Sequence, residues 1–305
     1  MNDTVETTQT NSAETLSAPL SPGRKKRSPL GEVFFRLKRS PLAMFGLTVI
    51  LILIFTAIFA DVLSPYPYRK QDLTRTFETP SRDHLLGTDE FGRDILSRLI
   101  YGARVSLQVG FIAVGIALIV GGMLGAAAGY YGGWIDNAIM RVMDVLLSVP
   151  QTLLAIAIAA ALGPGLFNLM IAVGIAAVPN YARIVRGSVL SIREMEFVEA
   201  ARAVGSSDLR IILKHIIPNS MAPIIVQSTL GVASAILNAA GLSFIGLGIQ
   251  PPYPEWGAML SGGRQYIRDY SHLTLYPGLA IMFTILALNF LGDGLRDALD
   301  PRLKR

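Results

Sequence analysis

The residues best suited to a chemical role lie in a polar stretch, residues 183–219, which ends in EFVEAARAVGSSDLRIILKHIIPN beginning at Glu196. It is the longest charged interruption in the otherwise apolar second half of the chain. Gly205 predicts a left-handed stop after a first short helix, and the serine pair after it can cap a second helix. We expect Pro218 to end that second helix. Two short, capped helices of this kind favour docking against a partner protein over catalysis.

The first of these helices carries a small, flat apolar face formed by Ala200, Ala201 and Val204, with Glu199 and Arg202 beside it. Such a face fits a groove on a partner. A DNA-binding helix-turn-helix is an alternative, but uncharged runs of membrane length flank the stretch closely on both sides. A plain solvated loop is the other alternative, although a capped, alanine-rich pair has more structure than a connector needs.

Catalytic and metal-binding patterns are absent from the sequence. There is no G-x-x-x-x-G-K-[ST] phosphate loop, no H-E-x-x-H pair and no cysteine. The three histidines, His84, His215 and His272, are isolated from one another in sequence. We therefore expect a chain that is not an enzyme and that binds no cofactor or metal of its own.

The composition indicates a membrane protein. Of the 305 residues, 51% are hydrophobic and 16% are charged, and the mean hydropathy is +0.47. A soluble domain usually carries roughly 25% charged residues. The formal net charge of +5 does not require a nucleic-acid partner, because basic residues collect in cytoplasmic loops of membrane proteins.

Six uncharged runs are long enough to span a bilayer as helices, which needs about 20 apolar residues each. The predicted fold is therefore all-α, a polytopic membrane protein. The remaining segments are a disordered tail (1–29), a loop (61–104), the polar stretch (183–219) and a charged tail (293–305), and the core runs over 105–292. The predicted spans are 42–60, 105–131, 145–162, 166–181, 223–245 and 273–292.

Two amphipathic stretches precede spans. Residues 30–39 fit a short helix at an anionic membrane surface, although a simple topogenic basic cluster explains them equally well. Asp94 can cap a second interfacial helix, which we expect Gly102 to end. Asp89 and Glu90, close to glycines, are better explained by turns than by a calcium loop.

Small and polar residues occur inside the predicted spans. Gly121, Gly125 and Gly129 repeat every four residues, which lets two helices approach closely in lipid. For the polar side chains we favour bonding between helices over lining a path. They include Ser148, Gln151, Asn168, Asn180, Gln227, Ser228, Ser234, Asn238 and Asn289.

The distribution of basic residues predicts the topology. Six spans place both termini and residues 183–219 on one side of the membrane. That side carries 18 Lys and Arg residues, against 9 on the other. The positive-inside rule then assigns that side to the cytoplasm.

The polar stretch resembles a known motif. Glu199, Ala200 and Ala201, followed by Gly205 and then Pro218, are similar to the EAA loop of bacterial ABC-importer permeases. The resemblance implies that these five residues form a cytoplasmic coupling element that docks on an ATPase subunit. It also implies the type I importer permease fold.

Longer motifs narrow the resemblance. HLLGTDEFGRDILSRLIYGARVSL from His84, GLSFIGLGIQPPYPEWGAML from Gly241 and NFLGDGLRDALDPRLKR from Asn289 resemble the second, "C", permease of dipeptide and oligopeptide importers. Permeases for nickel, glutathione and other small solutes share this subunit type. The resemblance implies a multi-pass protein of the bacterial inner membrane. Its implied partners are a homologous permease, two ATPase subunits that hold ATP and magnesium, and an extracytoplasmic solute-binding protein.

Two other functional classes remain as hypotheses. A self-contained channel or secondary carrier would need no docking element, and few ionisable residues lie within the spans. A membrane-anchored DNA-binding regulator would use the helix pair of the polar stretch. Co-purification separates the three hypotheses. The permease would recover ATPase subunits, the channel or carrier no partner, and the regulator specific DNA.

Overall fold

The computed structural model describes residues 29–299, and within them every regular element is helical. The predicted all-α fold is confirmed. The predicted disordered tail over 1–28 and the last residues of the charged tail lie outside the described residues. The helices are α1 Pro29–Leu37, α2 Pro41–Ile58, α3 Ala60–Leu63, α4 Ile95–Tyr131, α5 Gly133–Leu147, α6 Gln151–Leu162, α7 Leu166–Arg193, α8 Glu196–Ala203, α9 Asp208–Ile211, α10 Ile217–Asn219, α11 Met221–Phe244, α12 Trp256–Gly263 and α13 His272–Leu299.

Five of these helices, namely α2, α4, α7, α11 and α13, are long and apolar enough to cross a membrane, and α5 and α6 pass the same test as a bent pair. The two axes of the pair meet at 88°, and the number of spans is six when the pair is counted as one. We predicted a connector over 132–144 and a single span over 145–162 with Pro150 inside it, and these boundaries were wrong. Pro150 cannot donate a backbone hydrogen bond and disfavours helix at the residue before it, so the helix breaks at residues 148–150.

The second span is longer than predicted. Helix α4 runs without interruption for 37 residues from its cap at Asp94, and it includes the segment that we expected to be a separate interfacial helix ending at Gly102. The predicted cap is confirmed, since Asp94 accepts a hydrogen bond from the Ser97 backbone at 2.7 Å. Gly102 serves packing instead, because a side chain there would lie 2.6 Å from the Pro254 carbonyl oxygen and from the Trp256 ring.

Other boundaries also differ from the prediction. Helix α7 continues past residue 181 to Arg193, and α13 continues past residue 292 to Leu299, because a span that reaches water need not stop being helical. Residues 256–263, which lie between the fifth and sixth predicted spans, form α12. Its cap is Glu255, whose side chain is buried and accepts hydrogen bonds from the Gly257 and Ala258 backbones at 2.8 Å. Burial raises the pKa of this carboxyl group.

The most extensive helix contact joins α4 and α7, and the three spaced glycines lie in it. A β-carbon at Gly121 would lie 2.6 Å from the Val178 carbonyl oxygen. One at Gly125 would overlap the Ala182 carbonyl oxygen, and one at Gly129 would lie 2.9 Å from a side-chain carbon of α7. The two backbones therefore touch along one stripe, which is how small residues bring helices together in lipid.

The same contact predicts the effect of enlarging a glycine. Gly125→Leu should reduce the yield and melting temperature of the purified protein, because the side chain would have to separate two backbones, a change that costs more than the roughly 1–3 kcal/mol of ordinary overpacking. Gly115→Leu is the matched control, since nothing lies within 4 Å of a β-carbon there on the same helix. Equal melting of the two variants would show that the contact does not hold the bundle.

Candidate functional site

The first short helix of the polar stretch ends as the sequence suggests. Helix α8 is followed by Gly205, whose φ is +77°. The Gly205 backbone donates to the Arg202 carbonyl at 2.9 Å, and the Ser206 backbone donates to the Ala201 carbonyl at 3.1 Å. These bonds close the end of the helix in the manner of a glycine cap. A residue with a β-carbon would be strained at this φ.

The second helix does not end at Pro218. Helix α9 passes into a π-helical turn, Ile212–Ile216, and α10 then leads to the span α11 with only Ser220 between them. Proline normally interrupts a helix because it lacks a donor. In the π-helical turn just upstream of Pro218, backbone hydrogen bonds join residues five apart instead of four. This local change of spacing lets the helix continue through a residue that has no backbone N–H. The helix pair is thus continuous with α11, whereas we predicted that Pro218 would separate them.

One face of the helix pair packs on the bundle. Val198, Ala201, Ile211 and Ile216 are buried in a cluster with the adjoining ends of α4 and α7. Ala201, which we assigned to the docking face with Ala200 and Val204, therefore points inward. The burial of four apolar side chains fixes the pair to the bundle.

The opposite face is exposed and apolar. We call it the docking face, formed by Phe197, Ala200, Val204, Leu209 and Leu213. Val204 and Leu209 are 79% and 66% exposed. The Glu199 side chain lies in water beside this face. An exposed apolar patch with a charged rim is typical of a protein-binding surface.

Polar contacts fix the helix pair to the end of α4. The Tyr130 hydroxyl donates to Asp208 Oδ1 at 2.7 Å, and the Arg202 guanidinium lies over the Tyr130 ring at 5.2 Å. At the same end, Arg193 of α7 donates to the Gly129 carbonyl of α4 at 3.1 Å, so these two spans are bonded to each other. This contact has no local signature in the sequence, because Tyr130 and Asp208 are 78 residues apart.

Helix α5 is held to α7 at this same end of the bundle. Arg186 makes two hydrogen bonds to the Asp136 carboxylate, at 2.5 and 2.6 Å, and Arg183 bonds Asp144 at 2.7 Å. Two-point pairing of this kind fixes orientation as well as distance. The helix pair, α5 and the adjoining ends of α4 and α7 therefore form one connected unit.

Among the residues that the structure describes, no group of three histidine, aspartate or glutamate side chains could hold a metal ion. The predicted site residues divide into two groups. Glu199, Ala200, Gly205 and Pro218 are exposed on the helix pair, whereas Gly121, Gly125 and Gly129 lie between α4 and α7. The residues predicted to dock a partner thus lie on an exposed surface that is fixed to a membrane bundle.

The fold and this surface define a class of protein, the multi-pass membrane permease. Residues 119–305 match the family model described as the binding-protein-dependent transport system inner membrane component. Residues 28–80 match the N-terminal membrane domain of oligopeptide transport permease C. The chain belongs to this family of binding-protein-dependent, inner-membrane ABC-importer permeases.

Curated relatives match over nearly the whole chain. A dipeptide transport system permease protein of Alkalihalophilus pseudofirmus is 53% identical, with 91% of each chain covered. A di/tripeptide transport permease of Pseudomonas aeruginosa is 46% identical, covering 94% of this chain and 97% of the relative. A glutathione transport permease of Escherichia coli is also 46% identical, covering 94% and 95%.

The fold has a counterpart among solved structures. An inward-facing conformation of the MetNI methionine ABC transporter matches with a TM-score of 0.54 at 18% identity. The match covers 67% of this chain and 96% of that one. The identity is low, so the likeness concerns the fold, and the predicted type I importer permease fold is confirmed.

Gly205 supplies a test of the helix pair. Gly205→Val should loosen residues 196–216, because left-handed backbone costs a residue with a β-carbon about 1–2 kcal/mol and a β-branched one more. Gly205→Asn should be tolerated, since asparagine adopts this conformation more readily. Hydrogen exchange of α8 in the purified protein measures the difference.

Steric clashes do not affect the comparison of these two variants, because nothing lies within 4 Å of a β-carbon at Gly205. Equal exchange protection in the two variants would therefore show that the left-handed turn does not determine the order of the helix pair.

Proposed function

We propose that this chain is a permease subunit of an ATP-driven importer that moves dipeptides and short oligopeptides delivered by an extracytoplasmic binding protein. The observation that carries the proposal is the docking face on a helix pair fixed to a six-span bundle of this family. The peptide substrate is supported by relatives that are named dipeptide and di/tripeptide permeases. Glutathione is the second candidate substrate, because a similarly identical relative is named for it.

The proposed assembly gives this chain four protein partners in three roles. The docking face receives one of two ATPase subunits, and a homologous permease completes the membrane pore. The binding protein approaches from the other side of the membrane. ATP and magnesium are held by the ATPase subunits, since this sequence contains no phosphate loop.

The proposed orientation places the helix pair and both termini in the cytoplasm. It is supported by the 18 to 9 asymmetry of basic residues between the two sides. The loop over residues 61–94, α12 and the segment before α13 then face the binding protein.

The proposed mechanism uses the fixed unit at the cytoplasmic end. When the ATPase subunits close on ATP, they carry the docked α8 with them. Because Tyr130 bonds the helix pair to α4, and apolar side chains of the pair pack on both α4 and α7, the displacement reaches both spans. The bundle then alternates between inward-open and outward-open states.

The substrate class can be tested with the complete assembly in proteoliposomes. ATP-dependent uptake of a labelled dipeptide, of glutathione and of Ni²⁺ would be compared, with each matching binding protein supplied. We expect the dipeptide to be taken up fastest. Uptake of glutathione or Ni²⁺ alone would contradict the peptide assignment while leaving the permease class intact.

Glu199 is proposed to pair with an arginine of the ATPase subunit, because a docked carboxylate accepts strong, charge-assisted hydrogen bonds. Glu199→Arg should therefore reduce capture of the ATPase subunits by the permease pair about tenfold or more. Glu194→Arg is the matched control, since it makes the same charge change at an exposed position just before α8. If the two variants retain the ATPases equally and both insert in the membrane, α8 is not the docking helix.

The orientation has its own test in this cysteine-free chain. Ser207→Cys in the helix pair should resist a membrane-impermeant thiol reagent added to spheroplasts, while Ser271→Cys before α13 should be labelled. Both positions are exposed, so burial does not protect either of them. The reverse labelling pattern would invert the topology.

A further inference from the structure

A small chamber lies inside the bundle, between α4, α6, α7 and α11. Its volume is about 60 Å³, which is room for about four to six water molecules at roughly 10–15 Å³ each. Apolar residues of α4 and α7 form part of its wall. Five polar side chains also line it, which is unusual inside a membrane-spanning bundle, namely those of Gln151, Asn180, Tyr181, Gln227 and Ser234.

The polar groups of the chamber are carboxamides and hydroxyls from three different helices. Asn180 on α7 donates to Gln151 Oε1 on α6 at 3.2 Å. The side chains of Gln227 and Ser234, on α11, have no hydrogen-bond partner among residues 29–299. A carboxamide can both donate and accept, so the lining offers both kinds of bond.

Glycine keeps the chamber open toward α11. A β-carbon at Gly231 would collide with the Tyr181 hydroxyl, which donates to the Gln227 backbone carbonyl at 3.3 Å. Gln227, Gly231 and Ser234 follow one face of α11, three to four residues apart. That face of the span therefore combines polar side chains with a glycine at the chamber wall.

No aspartate, glutamate, lysine or arginine lines the chamber. The lining therefore offers no partner for a charged amino or carboxyl group, and burying such a group there would be costly. Neutral amide groups suit it, because each peptide bond carries one donor and one acceptor. The chemistry favours the main chain of a solute over its charged ends.

The chamber adjoins the break between α5 and α6. Gln151, the first residue of α6, is one of its lining residues, so the free backbone donors of the first helical turn lie next to it. Irregular backbone at membrane depth is tolerated where it is buried in protein or lines a polar cavity. Interrupted helices of this kind border the solute sites of other membrane transporters.

We propose that the chamber is a subsite for the uncharged main-chain amides of the transported peptide, with Gln151, Asn180 and Gln227 as its hydrogen-bonding residues. This inference rests on the proposed peptide-import function. Solute pockets usually measure about 300 Å³ or more, so the chamber in this conformation accepts only part of a solute. Movement of α6 away from α7, about the break at residues 148–150, enlarges it.

The experiment uses the complete reconstituted assembly and two solutes that differ by one group. One is a dipeptide, and the other is its ester analogue, which lacks the N–H of the peptide bond. The binding protein is saturated with either solute before it is added, so its own affinity does not enter the rate. The measured quantity is the ratio of ATP-dependent uptake of the dipeptide to that of the ester.

We expect the wild-type assembly to favour the dipeptide about five- to tenfold, the effect of one hydrogen bond. Gln227→Met should bring the ratio close to one, and so should the double variant Gln151→Met with Asn180→Leu, which removes both partners of one bond. The two uptake rates are measured on the same preparation of each variant, so partial loss of folded assembly lowers both rates and leaves their ratio unchanged.

Thr229→Val is the matched control on the same helix, because the Thr229 hydroxyl bonds its own helix at the Ile225 carbonyl. It should keep the wild-type ratio. A ratio that is unchanged in both chamber variants overturns the subsite while leaving peptide import intact. Failure of the wild-type assembly to import the dipeptide would instead overturn the proposed function and, with it, the subsite.

Discussion

The structure depends on the direct backbone contact between α4 and α7. Three glycines, Gly121, Gly125 and Gly129, remove the side chains that would otherwise separate the two helices. In a bilayer, where burying apolar surface away from lipid gains little, such close packing is the main source of helix association. The contact thus makes one rigid pair out of two spans that are separated in sequence.

Both functional features are attached to this pair. At one end, the inner face of the helix pair packs on α4 and α7, and Tyr130 of α4 adds a hydrogen bond to Asp208 of the pair. Within the membrane, α4 and α7 supply one side of the chamber, and the half-span α6 and the span α11 supply the other. A displacement of the docking face therefore acts on the chamber through a single body. The glycine stripe joins α4 to α7, and the predicted docking residues lie on the helix pair that packs on these two spans.

Periodicity and composition predicted much of the architecture, but some features needed long-range information. The caps at Asp94 and Gly205 and the glycine stripe follow local rules, so the sequence was sufficient to locate them. The break before Gln151 was missed because the apolar run continues through Pro150 and hides it. The chamber was missed for a different reason, since Gln151, Asn180 and Gln227 converge only after three helices are packed together. The sequence does not show which polar residues of different spans contact one another.

The most direct test of this account measures distances in the assembled transporter with and without trapped ATP. Spin labels at Met123 and Ile175 report on α4 against α7, and labels at Leu153 and Ile175 report on α6 against α7; all three positions are exposed. The account predicts an unchanged distance for the first pair and a shift of about 2 Å or more for the second. An ATP-dependent change in the first pair as large as in the second would contradict the claim that α4 and α7 move as one body.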